Sequence, residues 1–286
     1  MKRLLLLSAL LLPSLQAAGD KLFEYRRDLP LDRKETGFQE RSGVKVLDLT
    51  YMNLAGGRTA AYLVPSVKRG KAAAVLFIHW YEPESRDSNR TQFLDQAVEL
   101  AKAGATSLLI ETMWSDPMWF NKRNPADDFY NSVQQVKELR RALDLLLAEP
   151  GIDKKRVAYV GHDFGMMYGA VLAGIDHRPS VWALQAGTTS LSDWFLLGSK
   201  LQGEDRMKVV EGLSPLDPVK FIPTAGGPVL MQFAKTDRFV PEAKANEFFA
   251  AAVEPKKILW YESGHGLNTA AIADRQAWLK EQLKLE

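Results

Sequence analysis

Short apolar runs that alternate with helical segments constrain the fold of this chain more than any other feature of its sequence. Residues 72–78 form a continuous apolar run, which is typical of a strand covered on both faces. Further strands are predicted at residues 106–110, 156–160, 181–185, 229–233 and 257–261, and helices at 92–103, 126–148, 164–173, 241–253 and 269–283. Because parallel strands need helical crossovers, this order predicts an α/β fold with one doubly wound, mostly parallel sheet.

Two shorter strands precede this pattern. Residues 44–49 alternate apolar and polar side chains, and residues 59–64 follow a Gly-Gly turn, so the pair predicts an antiparallel hairpin at the sheet edge. The charged residues 20–43 predict an extended arm or a short helix. Residues 191–221 mix polar and apolar side chains and predict a short insertion after the sixth strand. We expect a single domain over residues 20–286.

The first 19 residues have the three parts of a secretory signal peptide. Met1-Lys2-Arg3 is basic, residues 4–12 are apolar, and small residues follow at Ala17, Ala18 and Gly19. The apolar run is shorter than the roughly 20 residues that cross a bilayer. We therefore expect cleavage of residues 1–19 and a periplasmic or secreted protein without a stable membrane anchor. A frayed amphipathic helix is the alternative.

Composition excludes several classes of function. The chain has no cysteine, so no disulfide, thiolate nucleophile or cysteine-bound metal can be proposed. Its 37 basic and 35 acidic residues leave the chain after the leader neutral, which gives no electrostatic reason to bind nucleic acid. The four histidines lack metal-ligand spacing. We expect a small-molecule substrate and neither a metal nor a cofactor.

One stretch has the spacing of a nucleophile elbow. The strand at residues 156–160 runs into Gly161-His162-Asp163-Phe164-Gly165 and then directly into a helix rich in small residues. The flanking glycines permit a tight strand-to-helix turn that leaves the central side chain exposed to a ligand. Asp163 is therefore the candidate nucleophile, with simple capping of the helix as the alternative.

Two later motifs complete a catalytic pattern. Asp237 lies in a turn after the strand at residues 229–233, and His265 lies between two glycines after the strand at 257–261. Both positions, like Asp163, follow the carboxyl ends of strands, where open α/β sheets bind their ligands. An ordinary turn residue is the alternative for Asp237.

These three motifs resemble those of the α/β-hydrolase superfamily over essentially the whole chain after the leader. The region before His79 and the short insertion after Gly187 resemble its dienelactone-hydrolase-like and acyl-peptidase-like branches. The resemblance implies an Asp163–His265–Asp237 catalytic triad in the superfamily's order. It departs at Asp163, because esterases have serine there, whereas epoxide hydrolases and haloalkane dehalogenases have aspartate.

The resemblance also implies an oxyanion hole and a substrate pocket. The backbone N–H groups of Trp80 and Phe164 are the expected oxyanion donors. The candidates for the pocket are His79, Tyr81, His162, Trp114 and Trp119. Backbone hydrogen bonds for the two histidines, and buried packing for the two tryptophans, are the alternatives.

An aspartate at the elbow changes the chemistry. It is ionised at neutral pH and attacks a saturated carbon to give a stable alkyl ester, whereas attack on an ester gives a mixed anhydride. We therefore expect hydrolysis of an epoxide or haloalkane. An esterase- or peptidase-type hydrolase that uses Asp163 as a base, and a catalytically silent binding protein, are the alternatives. The inserted segment has no tyrosine to protonate an epoxide oxygen, and Tyr81, Tyr130 or Tyr168 would have to replace it.

Overall fold

The computed structural model describes residues 21–286, so the predicted signal peptide lies outside the described residues. The strands are Lys34–Arg41 (β1), Val44–Met52 (β2), Arg58–Val64 (β3), Ala72–Ile78 (β4), Ala105–Ile110 (β5), Ile152–His162 (β6), Val181–Gln185 (β7), Val229–Ala234 (β8) and Lys256–Tyr261 (β9). The α-helices are Leu94–Ala103 (α1), Trp119–Lys122 (α2), Asp128–Ala148 (α3), Phe164–Ile175 (α4), Leu191–Phe195 (α5), Gly203–Leu213 (α6), Glu242–Ala251 (α7) and Thr269–Gln282 (α8). Single 3-10 turns lie at Pro125–Asp127, Ser214–Leu216, Pro218–Lys220 and Ile222–Thr224.

The nine strands form one sheet in the order β1-β2-β3-β5-β4-β6-β7-β8-β9. Strands β1 to β3 are antiparallel, β3 is antiparallel to β5, and the pairs from β5 to β9 are parallel. The predicted mostly parallel sheet with a leading hairpin is therefore confirmed.

Strand β1 corrects the prediction of an arm or short helix at residues 20–43. Its backbone pairs with β2, and Phe38 lies opposite Leu47 in the register. Most of its side chains are exposed, and Phe38 itself is 64% exposed. Because an edge strand held by backbone pairing needs no buried face, its sequence lacks the alternation that identifies a strand.

Helices cover both faces of the sheet. Helices α3 and α4 pack into the core on one face, whereas α1 and the end of α8 pack on the other. All seven residues of β4 are consequently buried, as its apolar sequence predicts. Within residues 21–286, no helix combines the length and apolar character needed to cross a membrane.

The parallel register brings four loops together at one edge of the sheet. Strands β4, β6, β8 and β9 end at Ile78, His162, Ala234 and Tyr261, and each is followed by residues singled out in the sequence. Carboxyl ends of neighbouring parallel strands share an edge, so side chains distant in sequence meet there.

Candidate active site

Asp163 lies at the elbow between β6 and α4 in a strained backbone conformation. Its φ is 57° and its ψ is −117°, a region that residues with a Cβ rarely adopt. A Cβ at Gly161 would overlap the carbonyl oxygen of Gly165, and a Cβ at Gly165 would overlap that of Ile78. The two glycines therefore allow the close backbone approach that holds Asp163 in this turn.

The two oxygens of the Asp163 carboxylate have different surroundings. Oδ2 accepts the backbone N–H of Tyr81 at 2.8 Å, and the N–H of Phe164 also stabilises the ionised carboxylate. Oδ1 is buried and has no hydrogen-bond partner among the described residues. The side chain makes no capping hydrogen bond to α4, so helix capping does not explain it.

Burial raises the pKa of Asp163 to about 7, against the opposing effects of His265 and of the two backbone donors. The residue is only 1% exposed, and its ionised form therefore lacks most of the hydration that stabilises a surface carboxylate. A carboxyl group with such a pKa changes charge near neutral pH. It is the kind of perturbed group that is found at functional sites.

His265 is held in place by Asp237. Its Nδ1 lies 2.8 Å from Oδ2 of Asp237, whose Oδ1 accepts the backbone N–H groups of Phe239 and Val240. Burial alone lowers the pKa of His265, but the bond to Asp237 and the nearby charge of Asp163 raise it overall. These bonds orient the ring and favour the tautomer with its proton on Nδ1.

The second imidazole nitrogen, Nε2 of His265, is buried and has no partner among the described residues. The His265 loop meets the elbow, because Nε2 of His162 contacts the carbonyl oxygen of His265 at 3.0 Å. Asp163 raises the pKa of His265, and His265 lowers that of Asp163. The site therefore contains a carboxylate oxygen and an imidazole nitrogen that are both unsatisfied within residues 21–286. Buried polar atoms normally have partners, and a substrate or water at this position would supply them.

Gln92, which the sequence interpretation missed, connects two loops of the site. Its Oε1 accepts the backbone N–H of Trp80 at 2.9 Å, and its Nε2 contacts Nδ1 of His162 at 2.7 Å. Nε2 of His162 in turn contacts the carbonyl oxygen of His265 at 3.0 Å. His162 is thus a residue that positions the His265 loop, and burial keeps its pKa well below the usual value.

The expected oxyanion donor at Trp80 is wrong by one residue. The Trp80 N–H is occupied by Gln92, and the N–H that reaches Asp163 belongs to Tyr81. The Trp80 indole stacks on His162 at 5.0 Å and lies 6.3 Å from the His265 ring. Its side chain therefore forms a wall of the site, while its backbone N–H donates to Gln92 rather than into the site.

His79 and Trp114 are structural residues rather than pocket residues. Nδ1 of His79 contacts the Trp80 carbonyl oxygen at 2.6 Å and Nε2 contacts Ser115 Oγ at 2.8 Å, which leaves no ring nitrogen free. Burial lowers its pKa to about 4. Trp114 is fully buried and donates its indole N–H to the His79 carbonyl oxygen.

Trp194 of α5 was not among the predicted site residues. Its ring centre lies 5.4 Å from that of His265 and 5.9 Å from that of Phe164. Its indole Nε1 is buried and has no hydrogen-bond partner in the part of the chain that the structure describes. The inserted segment contained the residue, but no pattern in the sequence indicated that α5 packs against His265.

The three tyrosines considered as proton donors are engaged or exposed. The Tyr168 hydroxyl is buried against Ser132, and the Tyr81 hydroxyl donates to the Pro117 carbonyl oxygen. Tyr130 is 62% exposed. Tyr81 does line the site through its backbone and contacts Trp119, at 5.5 Å between ring centres.

Comparisons with known proteins agree with this architecture. Acetyl xylan esterase 1 from a Thermoanaerobacterium species superposes with a TM-score of 0.73 at 14% identity, over 94% of this chain and 93% of that chain. A cold-adapted esterase from an Arctic intertidal metagenomic library superposes with a TM-score of 0.64 at 17% identity, over 87% of this chain and 99% of that chain. The chain has the α/β-hydrolase fold.

In sequence, this α/β-hydrolase-fold chain is similar to the acylamino-acid-releasing enzyme of Rattus norvegicus. The two are 27% identical over 153 residues, which is 47% of this chain and 21% of the relative. The chain thus spans about a fifth of the length of that relative. No protein-family model matches the sequence. The superpositions with solved structures support the fold of the chain.

Proposed function

We propose that this protein is a hydrolase in which Asp163 attacks a saturated carbon and forms an alkyl ester with its substrate. The observation that carries the proposal is the contact of the Tyr81 N–H with Oδ2 of Asp163 itself. In a serine esterase, the corresponding donors bind the carbonyl oxygen of the substrate. Here a substrate carbonyl would have to displace a carboxylate oxygen from them.

The same donors suit an alkyl-ester mechanism without rearrangement. Oδ1 of Asp163, unpaired among the described residues, attacks the substrate carbon, while the bond to the leaving group breaks and its electron pair departs with that group. Nε2 of His265 then takes a proton from water, and the hydroxide attacks the ester carbonyl carbon of Asp163. The negative charge develops on Oδ2, where the N–H of Tyr81 stabilises it.

Collapse of this tetrahedral intermediate completes the turnover. The bond between Oδ1 and the carbonyl carbon of Asp163 breaks, and the released alkoxide takes the proton from His265. The carboxylic acid that remains at Asp163 releases its proton to solvent. The product alcohol therefore contains the former Oδ1 oxygen, and one oxygen of water remains in the carboxylate. The net reaction is R–X plus water to R–OH plus HX.

The surroundings of the site favour a leaving group that departs as an anion. An epoxide oxygen needs a proton donor, and the three candidate tyrosines are engaged or exposed. The buried indole N–H of Trp194 is a donor that can stabilise an anion but cannot protonate it. We therefore favour a halide or similarly stable anion over an epoxide oxygen.

The cellular location belongs to the same proposal. The basic start, short apolar run and small-residue exit of residues 1–19 support export through a signal peptide. The substrate would then be a small organic molecule encountered in a periplasm or outside the cell.

A second candidate is an esterase- or peptidase-type hydrolase. The names of the similar proteins favour this class, since they are esterases and an acylamino-acid-releasing enzyme. In this alternative, Asp163 acts as the base that activates water for direct attack. Its pKa of about 7 suits a general base that operates near neutral pH.

Isotope labelling distinguishes the two candidates. Substrates are first identified with chromogenic esters, epoxides and haloalkanes, and a single turnover is then run in ¹⁸O-labelled water. The alkyl-ester route places the label in the peptide that contains Asp163, and the product alcohol stays unlabelled. Label found only in the product contradicts the covalent route and supports direct attack by water.

A further inference from the structure

We propose that a cavity beside the active site, lined on one side by amide and carboxylate groups, binds a neutral, hydroxyl-rich part of the substrate. The cavity has a volume of about 530 Å³, within the range of small-molecule sites. It lies between the turn that joins β2 to β3, the loop after β5, Trp119 and the first half of α3. The proposal rests on the proposed function only in treating the ligand as part of the substrate.

The helix side of the cavity is a polar stripe, defined by Asn131, Gln134, Gln135 and Glu138. The last three of these residues follow Asn131 by three, four and seven positions, so all four share one face of α3. A helix face turned towards other parts of the same protein is normally apolar. Here amides and a carboxylate line the space instead, which is typical of a surface that hydrogen-bonds a ligand.

Two groups of the stripe have hydrogen-bonding capacity that the described part of the protein does not use. Gln135 is 5% exposed, and its Oε1 accepts the Met113 N–H, while its amide nitrogen has no partner among the described residues. Oε1 of Glu138 accepts the Leu54 N–H, and its Oε2 is buried without a partner there. An unsatisfied buried acceptor such as Oε2 of Glu138 is costly, so a ligand that donates a hydrogen bond to it gains affinity.

The charges around the cavity favour a neutral ligand. Arg58 is already paired with Asp32 at 2.6 Å, and Glu111 lies 3.4 Å from Arg90. Burial raises the pKa of Glu138, which disfavours its charged form. A hydroxyl group can both donate to Glu138 and accept from the Gln135 amide, whereas an anion or an ammonium group matches only one of them.

Trp119 connects this cavity with the catalytic centre. Its side chain lines the cavity and packs edge-on against Phe164, the residue after the nucleophile, at 5.3 Å between ring centres. A ligand in the cavity is thus separated from the elbow by a single aromatic residue. The indole also offers an apolar face to the C–H groups of a sugar-like ring.

Binding is measured without turnover, in the full-length Asp163→Asn variant. Xylotriose, cellotriose and maltotriose serve as neutral probes and spermidine as a cationic one, with calorimetry and tryptophan fluorescence as readouts. We expect saturable binding of at least one trisaccharide. Gln134→Ala should weaken it about tenfold, corresponding to one lost hydrogen bond. The side chain of Gln134 has no hydrogen-bond partner in the described protein, so this change should leave folding intact.

A matched control is Gln202→Ala, which removes an exposed amide at the start of α6 and should leave binding unchanged. Binding of spermidine alone, no binding of any trisaccharide, or equal affinities in the Gln134→Ala and Gln202→Ala variants would overturn the proposal. Failure of the alkyl-ester mechanism would not change these results, because no step of the assay needs catalysis.

Discussion

The backbone N–H of Tyr81 donates to Oδ2 of Asp163 across 2.8 Å and joins the loop after β4 to the elbow after β6. This contact makes the two carboxylate oxygens inequivalent, because Oδ1 is left buried and unpaired within residues 21–286. In the proposed mechanism, Oδ2 carries the negative charge and Oδ1 attacks the substrate. This division between the two oxygens has measurable consequences.

Asp163→Asn should abolish turnover and stabilise the fold at alkaline pH. The pKa of Asp163 is raised to about 7, so the unfolded chain ionises this group at a lower pH than the folded chain does. The wild-type protein therefore loses stability between about pH 4 and pH 7, and the loss is constant above that. The uncharged variant avoids it and should gain up to about 4 kcal/mol in the free energy of unfolding.

Urea unfolding of both proteins at pH 4 and pH 8 measures this difference. The gain in unfolding free energy of Asp163→Asn over the wild type should be small at pH 4 and large at pH 8. The exposed Asp205 provides a control. The difference in unfolding free energy between Asp205→Asn and the wild type should not increase comparably from pH 4 to pH 8. Equal unfolding free energies of wild type and Asp163→Asn at pH 8 would contradict a desolvated carboxylate.

The rate of ester formation should rise with pH through about 7. Only the ionised form of Asp163 attacks, and burial places its pKa in this range. The raised pKa of His265 acts in the same direction on the second step, because only neutral imidazole takes a proton from water. Stopped-flow measurements between pH 5 and pH 9 give both rates, and an alkylation rate that is flat across this range argues against Asp163 as the nucleophile.

His265→Gln should trap the alkyl ester. The first step needs no base, so Asp163 still reacts, but hydrolysis of the ester slows by about 10² to 10⁴ without the base. We expect one equivalent of leaving group per enzyme and a mass increase on the peptide that contains Asp163. Intact-mass spectrometry measures the adduct. The double variant with Asp163→Asn should show neither burst nor adduct.

Trp194→Phe should slow ester formation and preserve the fold. The substitution keeps an aromatic ring beside His265 and removes a buried N–H that has no partner in the described protein. A hydrogen bond to a charged acceptor contributes about 1.5–3 kcal/mol, so the rate should fall roughly tenfold or more. The loss should be greatest for the poorest leaving groups.

Trp278→Phe is the matched control, because the indole N–H of Trp278 is also buried without a partner among the described residues but lies on α8. This variant should keep the wild-type rate. Similar rate losses in both variants would show that the Trp194 effect is structural.

Gly161→Ala should destabilise the elbow, whereas Gly212→Ala should not. A Cβ at Gly161 overlaps the Gly165 carbonyl oxygen, so the tight turn must open. Gly212 lies in α6, and a Cβ there meets no atom within 4 Å. We expect the first change to lower the free energy of unfolding by more than about 2 kcal/mol and the second to raise it by about 0.5–1 kcal/mol. Thermal unfolding measures both.

The sequence by itself determined the succession of strands from β2 to β9 with the long helices between them, and the positions of the chemical groups. Apolar runs such as β4 exist because a strand covered on both faces excludes polar side chains. Glycines flank Asp163 because a side chain at either position would block the tight turn between β6 and α4. Such local requirements restrict which residue types occur at each position. The resulting sequence pattern is enough to locate Asp163, Asp237 and His265 along the chain.

Only the tertiary structure decided which groups meet and how they are oriented. The direction of a backbone N–H depends on the loop conformation, so the N–H that reaches Asp163 belongs to Tyr81 rather than to Trp80. Gln92 and Trp194 reach the site through folding of separate segments, and no local pattern marks them. Sequence periodicity records which side chains must be buried, whereas three-dimensional packing determines which buried atoms remain unpaired.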